Sequence, residues 1–158
     1  MKHLALVIAL VVMAALFSLG TVKAVTTYND SVSGSQTAAP EADGIAINLT
    51  ASGDLPGMSK LTLQPSGSNV TGGSWKMTVL PQNADASSSQ RGELTGTLTG
   101  GTLTLNADGT LASASAVQFT IQGGTGEYAG VTTGSGTVNV STSGENSSQL
   151  TGNLVLSF

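Results

Sequence analysis

Few side chains in this 158-residue sequence are of the types that commonly carry out chemistry. The chain has no cysteine, and its one histidine, His3, lies in an apolar leader that we expect to be removed. Their loss excludes thiolate nucleophiles, disulfides, the usual zinc ligands and the commonest base for a hydroxyl nucleophile. We therefore predict no catalytic residue, no metal site and no cofactor.

The acidic residues offer little more. Glu93 and Glu127 are the carboxylates nearest to the ends of predicted strands, and we interpret them as solvated turn residues. Asn106 and Asp108, with a glycine following, resemble the start of a calcium-binding loop. The later glutamate and the further oxygen ligands of such a loop are missing, so we predict no calcium site.

The leader is typical of a secretion signal. Residues 4–19 are almost entirely apolar and follow Lys2 and His3. A helix of this length is about 24 Å long, which is shorter than the roughly 30 Å hydrocarbon core of a membrane. Residues 22–24 end on the small Ala24, where a signal peptidase would cut. We predict a signal peptide over residues 1–24, a mature chain that begins at Val25, no later membrane-spanning helix, and a secreted or periplasmic location.

The charge of the mature chain argues against nucleic acid as a partner. After cleavage, Lys60, Lys76 and Arg91 remain against nine acidic residues, a net charge of −6. Such a surface repels phosphate backbones.

From residue 44 onwards, apolar residues alternate with Thr, Ser and Asn, which is typical of antiparallel strands with one buried face. Eight segments carry this pattern: residues 45–49, 61–63, 75–79, 94–98, 103–105, 117–121, 138–140 and 150–158. Glycine-containing pairs predict the turns between them, among them residues 72–73 and 100–101. The sequence therefore predicts an all-β domain over residues 44–158, preceded by a flexible linker over residues 25–43.

We expect the eight strands to form an antiparallel β-barrel, with a β-sandwich as the alternative. A barrel removes the unprotected edges that this lysine-poor sequence would otherwise expose, and Gly96, Gly136 and Gly152 suit sharply coiled strands. Alternation predicts an inward set of Leu49, Leu63, Trp75, Met77, Leu105, Phe119, Ile121, Val140 and Leu154.

Trp75, Met77 and Phe119 are the candidate ligand-binding residues within that inward set. They form either part of a filled core or one wall of a cavity for a small apolar ligand, since eight-stranded barrels can do either. We expect a mostly filled interior, because the inward set offers almost no polar group to orient a substrate.

Residues 121–130 read Ile-Gln-Gly-Gly-Thr-Gly-Glu-Tyr-Ala-Gly and lead into a further Gly-Ser-Gly before a strand. This segment resembles a motif of the allene oxide cyclase and dirigent-like barrels, and of related secreted bacterial barrels. The resemblance implies an eight-stranded barrel with an apolar interior, in which Gly123, Gly124, Gly126 and Gly130 belong to a structural turn. It also implies that Tyr128 packs its ring under the barrel floor.

Three functions follow as hypotheses. The first is a secreted or periplasmic module without catalysis, either structural or binding a small apolar ligand. The second, implied by the resemblance, is a dirigent- or cyclase-like barrel acting on a small lipophilic substrate. The third is an outer-membrane barrel, indicated by the alternating apolar residues before Phe158. The shortage of aromatic residues for two girdles argues against the third hypothesis.

Overall fold

The structure, a computed structural model, describes residues 24–36, 44–82, 89–143 and 148–158. Eight antiparallel strands follow one another around a closed barrel, and the last pairs with the first. They are β1 (Thr27–Gln36), β2 (Ile45–Gly53), β3 (Gly57–Ser66), β4 (Asn69–Val79), β5 (Gly92–Leu105), β6 (Leu111–Gly124), β7 (Gly134–Thr142) and β8 (Gln149–Ser157). A short 3-10 helix, Gly126–Tyr128, follows β6. The prediction of an eight-stranded antiparallel barrel is confirmed, and the sandwich alternative is wrong.

The first strand lies where the sequence predicts a flexible linker. Thr27–Gln36 forms β1, which pairs with β2 on one side and with β8 on the other. The linker prediction is therefore wrong for these residues. The strand is missed in the sequence because its inward face carries few apolar side chains. Its buried side chains are Asp30, Val32 and Gln36, two of them polar, so the alternation is hidden. Residues 37–43, and the predicted signal peptide apart from Ala24, lie outside the described residues.

Strand β5 corrects a second prediction. The segments predicted at residues 94–98 and 103–105 belong to one strand, and the predicted turn at residues 100–101 is a set of β-bulges in its pairing with β6. Gly101 has φ of +141°, and a Cβ there would lie 2.7 Å from Cα of Val117. Only glycine fits this bulge without strain. The sequence predicts the correct number of strands because two errors cancel. It misses β1, and it counts β5 as two strands.

Residues 72–73 are also misread as a turn, because they lie within β4. The turn before β4 contains Gly67, which has φ of +61°. The glycines at 72–73 leave the strand free to coil, and a Cβ on Gly73 would collide with the carbonyl oxygen of Thr62 on β3. These paired glycines therefore indicate close strand packing, which sequence alone does not separate from a turn.

The predicted inward set is almost entirely confirmed. Eight of its nine side chains expose 4% or less of their surface. The exception is Leu105, which is 42% exposed because a bulge between Thr104 and Leu105 shifts the end of β5 out of register with β6. Leu103, two residues earlier, is buried in its place.

The interior is filled by pairing large side chains with glycine on the neighbouring strand. Trp75 on β4 faces Gly96 on β5, and Phe119 on β6 faces Gly136 on β7. A Cβ on Gly136 would lie 2.2 Å from Cζ of Phe119, so the ring occupies the space that a side chain at residue 136 would need. Alternation of large and small residues lets a narrow barrel close around bulky rings.

One polar side chain ties together two strands that are not neighbours. The amide of Gln36, at the end of β1, donates from Nε2 to the carbonyl oxygen of Leu111 at 2.7 Å. Oε1 of Gln36 accepts from the backbone N–H of Leu111 at 2.6 Å. Because Leu111 begins β6, this pair of hydrogen bonds spans one end of the barrel and satisfies buried backbone groups.

The connection after β6 contains two constrained glycines. Gly126 has φ of +60°, and a Cβ there would lie 2.4 Å from the carbonyl oxygen of Arg91. A Cβ on Gly124 would lie 2.3 Å from the carbonyl oxygen of Tyr128. Gly123 has only ordinary contact space beside it, and Gly130 has nothing within 4 Å. The motif is therefore a tight turn at two of its four glycines.

Replacing Gln36 with alanine is expected to lower the free energy of unfolding by about 2–3 kcal/mol. The change removes two hydrogen bonds and leaves the backbone N–H and carbonyl of Leu111 without that partner. Chemical denaturation measures the loss, with Ser33→Ala on the exposed face of β1 as the control. Equal stability of the two variants would contradict the bridging role of Gln36.

Replacing Gly126 or Gly124 with valine is expected to destabilise the protein by at least about 1 kcal/mol. At Gly126 the cause is a β-branched side chain at positive φ, and at Gly124 it is collision with Tyr128. Gly130→Val is the matched control, because its surroundings are open. Thermal midpoints that are the same for all three variants would show that the turn is unconstrained.

Candidate functional site

The three predicted ligand-binding side chains lie together inside the barrel. Trp75, Met77 and Phe119 are each at most 1% exposed. The rings of Trp75 and Phe119 are stacked, with centroids 4.4 Å apart and an interplanar angle of 24°. The indole Nε1 of Trp75 donates to Oγ of the buried Ser59 at 2.9 Å, so the one polar atom of the indole is already satisfied from within the core.

The surroundings of this cluster are packed. The inward apolar side chains form one continuous cluster, and Leu63, Met77, Val79 and Leu94 expose none of their surface. A void that admits a water molecule would leave accessible surface on the side chains that line it. The structure therefore brings Trp75, Met77 and Phe119 together as core residues. A depression of about 350 Å³ that Phe119 helps to line is otherwise bounded by residues of β5 to β8, among them the exposed Gln118 and Thr120.

Two buried polar groups lie at the barrel end where β1 begins. Asp30 is 3% exposed, and its Oδ1 accepts the backbone N–H of Leu55 at 2.9 Å. Its Oδ2 has no hydrogen-bond partner among the described residues. Burial raises the pKa of the Asp30 carboxyl above its ordinary value, the hydrogen bond from Leu55 opposes this shift, and the charge of Asp54 adds to it.

Tyr128 is the second of these groups. Its ring is buried and meets the ring of Phe158 edge-on, with centroids 6.0 Å apart, while Phe158 stacks on Tyr28 at 5.0 Å. Its hydroxyl has no hydrogen-bond partner in the part of the chain that the structure describes. Burial raises the pKa of this phenol, and the nearby Arg91 guanidinium opposes the shift. The cluster closes this end of the barrel with aromatic rings.

The two carboxylates singled out from the sequence lie in surface ion pairs. Glu93 Oε1 is 2.7 Å from Nζ of Lys76. Glu127 Oε2 accepts from Nε and Nη2 of Arg91 at 3.0 and 2.8 Å. Glu93 and Glu127 are therefore each paired with a cationic side chain. Within the described ranges, no three His, Cys, Asp or Glu side chains lie close enough together to hold a metal ion.

The largest of four depressions formed by the described residues lies on the outside of strands β1 to β4, and we call it the outer groove. Its volume is about 520 Å³. Two rows of outward side chains cross it, one formed by Ser35, Asn48, Lys60 and Lys76, and the other by Thr50, Met58 and Thr78. Three further depressions, of about 330, 350 and 250 Å³, are lined by no charged side chain of the described residues.

The outer groove combines two cations with an exposed apolar side chain. Lys60 and Lys76 are register partners on β3 and β4, and Met58 is 54% exposed. The only salt bridges between described residues are those of Lys76 and Arg91, so the ammonium group of Lys60 has none there. This arrangement can attract an anion and cover part of it with apolar surface.

Sequence reasoning does not find the outer groove. Lys60 and Lys76 are 16 positions apart in the numbering, and only the pairing of β3 with β4 makes them neighbours. The available signal is that both lysines are outward positions of adjacent strands, Lys60 two residues after the exposed Met58 and Lys76 directly before the buried Met77. Ser59, the partner of the Trp75 indole, is also missed, because a serine at an inward position looks like an ordinary polar residue.

The buried Asp30 predicts a pH dependence of stability. Because its pKa is raised above 3.8 in the folded state, it binds its proton more tightly there than in the unfolded chain. Its contribution to stability is present below pH 3.8 and is lost as the pH rises through the folded-state pKa. The Asp30→Asn variant does not ionise, so its stability relative to the natural chain is expected to increase as the pH rises from 3 to 7.

Asp108→Asn is the control with the opposite sign. Hydrogen bonds from Thr110 lower the pKa of Asp108, so this carboxyl stabilises the folded state at higher pH and the variant is expected to lose relative stability as the pH rises. Denaturation at several pH values measures both differences. A stability difference for Asp30→Asn that does not change with pH would contradict the shifted pKa.

Comparisons with other proteins add nothing to this geometry. No protein-family model, no curated protein and no solved structure matches the chain. Among the described residues, no helix is long and apolar enough to cross a membrane. The resemblance of residues 121–130 to the allene oxide cyclase and dirigent-like barrels therefore stays a prediction, and the function has to be argued from the barrel itself.

Proposed function

We propose that this protein is an exported, non-catalytic β-barrel module that binds its ligand on the outer face, at the outer groove. One observation carries the proposal: the interior is occupied by its own side chains, whereas a depression of about 520 Å³ that contains two cations lies on the outer face. Export rests on the predicted signal peptide and on the acidic, cysteine-free mature chain. In this proposal the interior side chains stabilise the fold, and the outer surface binds the ligand.

The packed interior argues against the alternative of a cyclase- or dirigent-like reaction inside the barrel. Such a reaction needs space for a lipophilic substrate beside polar groups that guide it. The interior polar side chains Asp30, Gln36 and Ser59 already bind Leu55, Leu111 and Trp75 respectively. Among the described residues, Oδ2 of Asp30 and the hydroxyl of Tyr128 lack a hydrogen-bond partner, and both lie at the end of the barrel where β1 begins, away from the stacked rings of Trp75 and Phe119.

The polarity of the two faces argues against the alternative of an outer-membrane barrel. A barrel in a membrane presents an apolar band to lipid. Here the apolar side chains point inward, and the outward positions of the long strands β5 and β6 are polar, such as Thr95, Thr97, Gln118 and Thr120. This distribution favours a barrel that is surrounded by water.

An uncharged apolar fluorophore tests whether the interior is a binding site. We expect N-phenyl-1-naphthylamine to leave the fluorescence of Trp75 unquenched, because the indole is enclosed by packed side chains. Phe119→Ala is expected to cost about 3–5 kcal/mol of stability, because it opens a cavity in a filled core. Met58→Ala, which truncates an exposed side chain, is the control and is expected to change stability by less than about 0.5 kcal/mol.

The opposite result would return the ligand to the interior. If the fluorophore quenches Trp75 in the natural protein, and Phe119→Ala costs clearly less than a core truncation, the barrel is hollow in solution. The outer-face proposal would then fail, and Trp75, Met77 and Phe119 would be the ligand-binding residues.

A further inference from the structure

Lys60 and Lys76 lie opposite each other in the outer groove at a cost to the sheet. They are register partners in the antiparallel pair of β3 and β4, where opposite Cβ atoms are about 5 Å apart and like charges destabilise. After the predicted cleavage, Arg91 is the only other basic residue of the chain. Two of the three cations are thus held side by side although their charges repel each other, and of these two only Lys76 has a salt-bridge partner among the described residues, which points to a role in binding.

The positive charge of this pair is only partly neutralised. Lys76 forms an ion pair with Glu93 at 2.7 Å, and more than half of its side chain remains exposed. Lys60 is exposed and forms no salt bridge with the described residues. Because the rest of the mature chain is strongly acidic, an anion is repelled by most of the surface and attracted to this groove.

The other side chains of the groove are mostly hydrogen-bonding groups. Ser35 and Asn48 continue the row of the two lysines, and Thr50 and Thr78 flank Met58. Strands are about 4.8 Å apart, so a row over four strands extends roughly 14 Å, the length of a short sugar chain. An acyl chain would meet one exposed apolar side chain, Met58, whereas a sugar would meet hydroxyl and amide groups along the whole row.

We propose that the outer groove binds an acidic oligosaccharide, with an anionic group between the ammonium groups of Lys60 and Lys76 and sugar hydroxyls on Ser35 and Asn48. Met58 would cover the apolar face of a sugar ring. The inference rests on the proposed outer-face function and specifies its ligand class. Carboxylate and sulfate groups could both supply the anion, and the experiment separates them.

The test is a titration of the isotope-labelled mature chain, followed by amide chemical shifts at low ionic strength. The probes are trigalacturonate, a sulfated trisaccharide and the neutral trisaccharide maltotriose, and the fatty acid laurate is titrated for comparison. We expect an anionic trisaccharide to shift amides of β1 to β4 around the groove and maltotriose to bind much more weakly. Which of the two anionic probes binds more tightly identifies the carboxylate or the sulfate as the preferred group.

Variants of the cations provide the controls. Lys60→Gln is expected to weaken anionic binding about tenfold, because it removes a charge-assisted contact, and Lys60→Arg is expected to keep most of it. Arg91→Gln removes one positive charge away from the groove and is expected to leave the affinity nearly unchanged. Raising the salt concentration should weaken binding to the natural chain and to Arg91→Gln alike.

The failures of the two proposals are distinguishable. Equal binding of maltotriose that is insensitive to Lys60→Gln would overturn the anionic ligand and leave the outer-face function standing. Tighter binding of laurate than of either anionic sugar at the same groove would overturn the sugar. No groove shift with either anionic probe would overturn the inference, and a probe that instead shifts the indole N–H of Trp75 would overturn both proposals.

Discussion

The closure of the barrel by β1 is the constraint on which the rest of the structure depends. Thr27–Gln36 pairs with β2 along one edge and with β8 along the other, so no described strand is left with an open edge. Without β1, the remaining seven strands would form an open sheet with two exposed edges, in a sequence that has few charged residues to protect them. Closure also fixes the interior volume, because the number of strands sets the diameter of the barrel.

The narrow interior explains why glycines face the large rings, and it is the reason for placing the proposed binding site on the outer face. Trp75 and Phe119 fit because Gly96 and Gly136 face them from the neighbouring strands. The few interior polar groups are matched to partners at the ends or beside the indole, apart from one oxygen of Asp30 and the hydroxyl of Tyr128. Because the centre is filled in this way, we propose that binding takes place on the outside, where register places Lys60 beside Lys76.

Sequence reasoning predicts the fold class well because apolar alternation is a direct consequence of a half-buried strand. It finds Trp75, Met77 and Phe119 on one inward face, where the structure places them in contact with the core. It misses β1, since burial there falls on Asp30 and Gln36, whose partners Leu55 and Leu111 are 25 and 75 residues away. Residues so far apart in the sequence become hydrogen-bond partners only when the barrel closes.

The dependence on contacts between strands also limits how well the candidate site can be predicted from the sequence. A bulge or a register shift is decided by the neighbouring strand, so paired glycines at residues 72–73 and 100–101 look like turns and Leu105 looks buried. The outer groove is a property of four paired strands, and its two lysines are made neighbours only by pairing. The alternation of apolar and polar residues predicts which face of a strand is exposed to solvent. The pairing of the strands determines which exposed residues become neighbours.

Hydrogen exchange of the backbone amides in β1 tests barrel closure most directly. If β1 closes the barrel, the amides of residues 30–35 that bond to β2 and β8 exchange only through global unfolding, with the same free energy as the most protected amides of β7 and β8. Rapid exchange of these β1 amides, while β3 to β6 stay protected, would show that the first strand is detached. The barrel would then be open, and the account of its filled interior and its outer groove would be wrong.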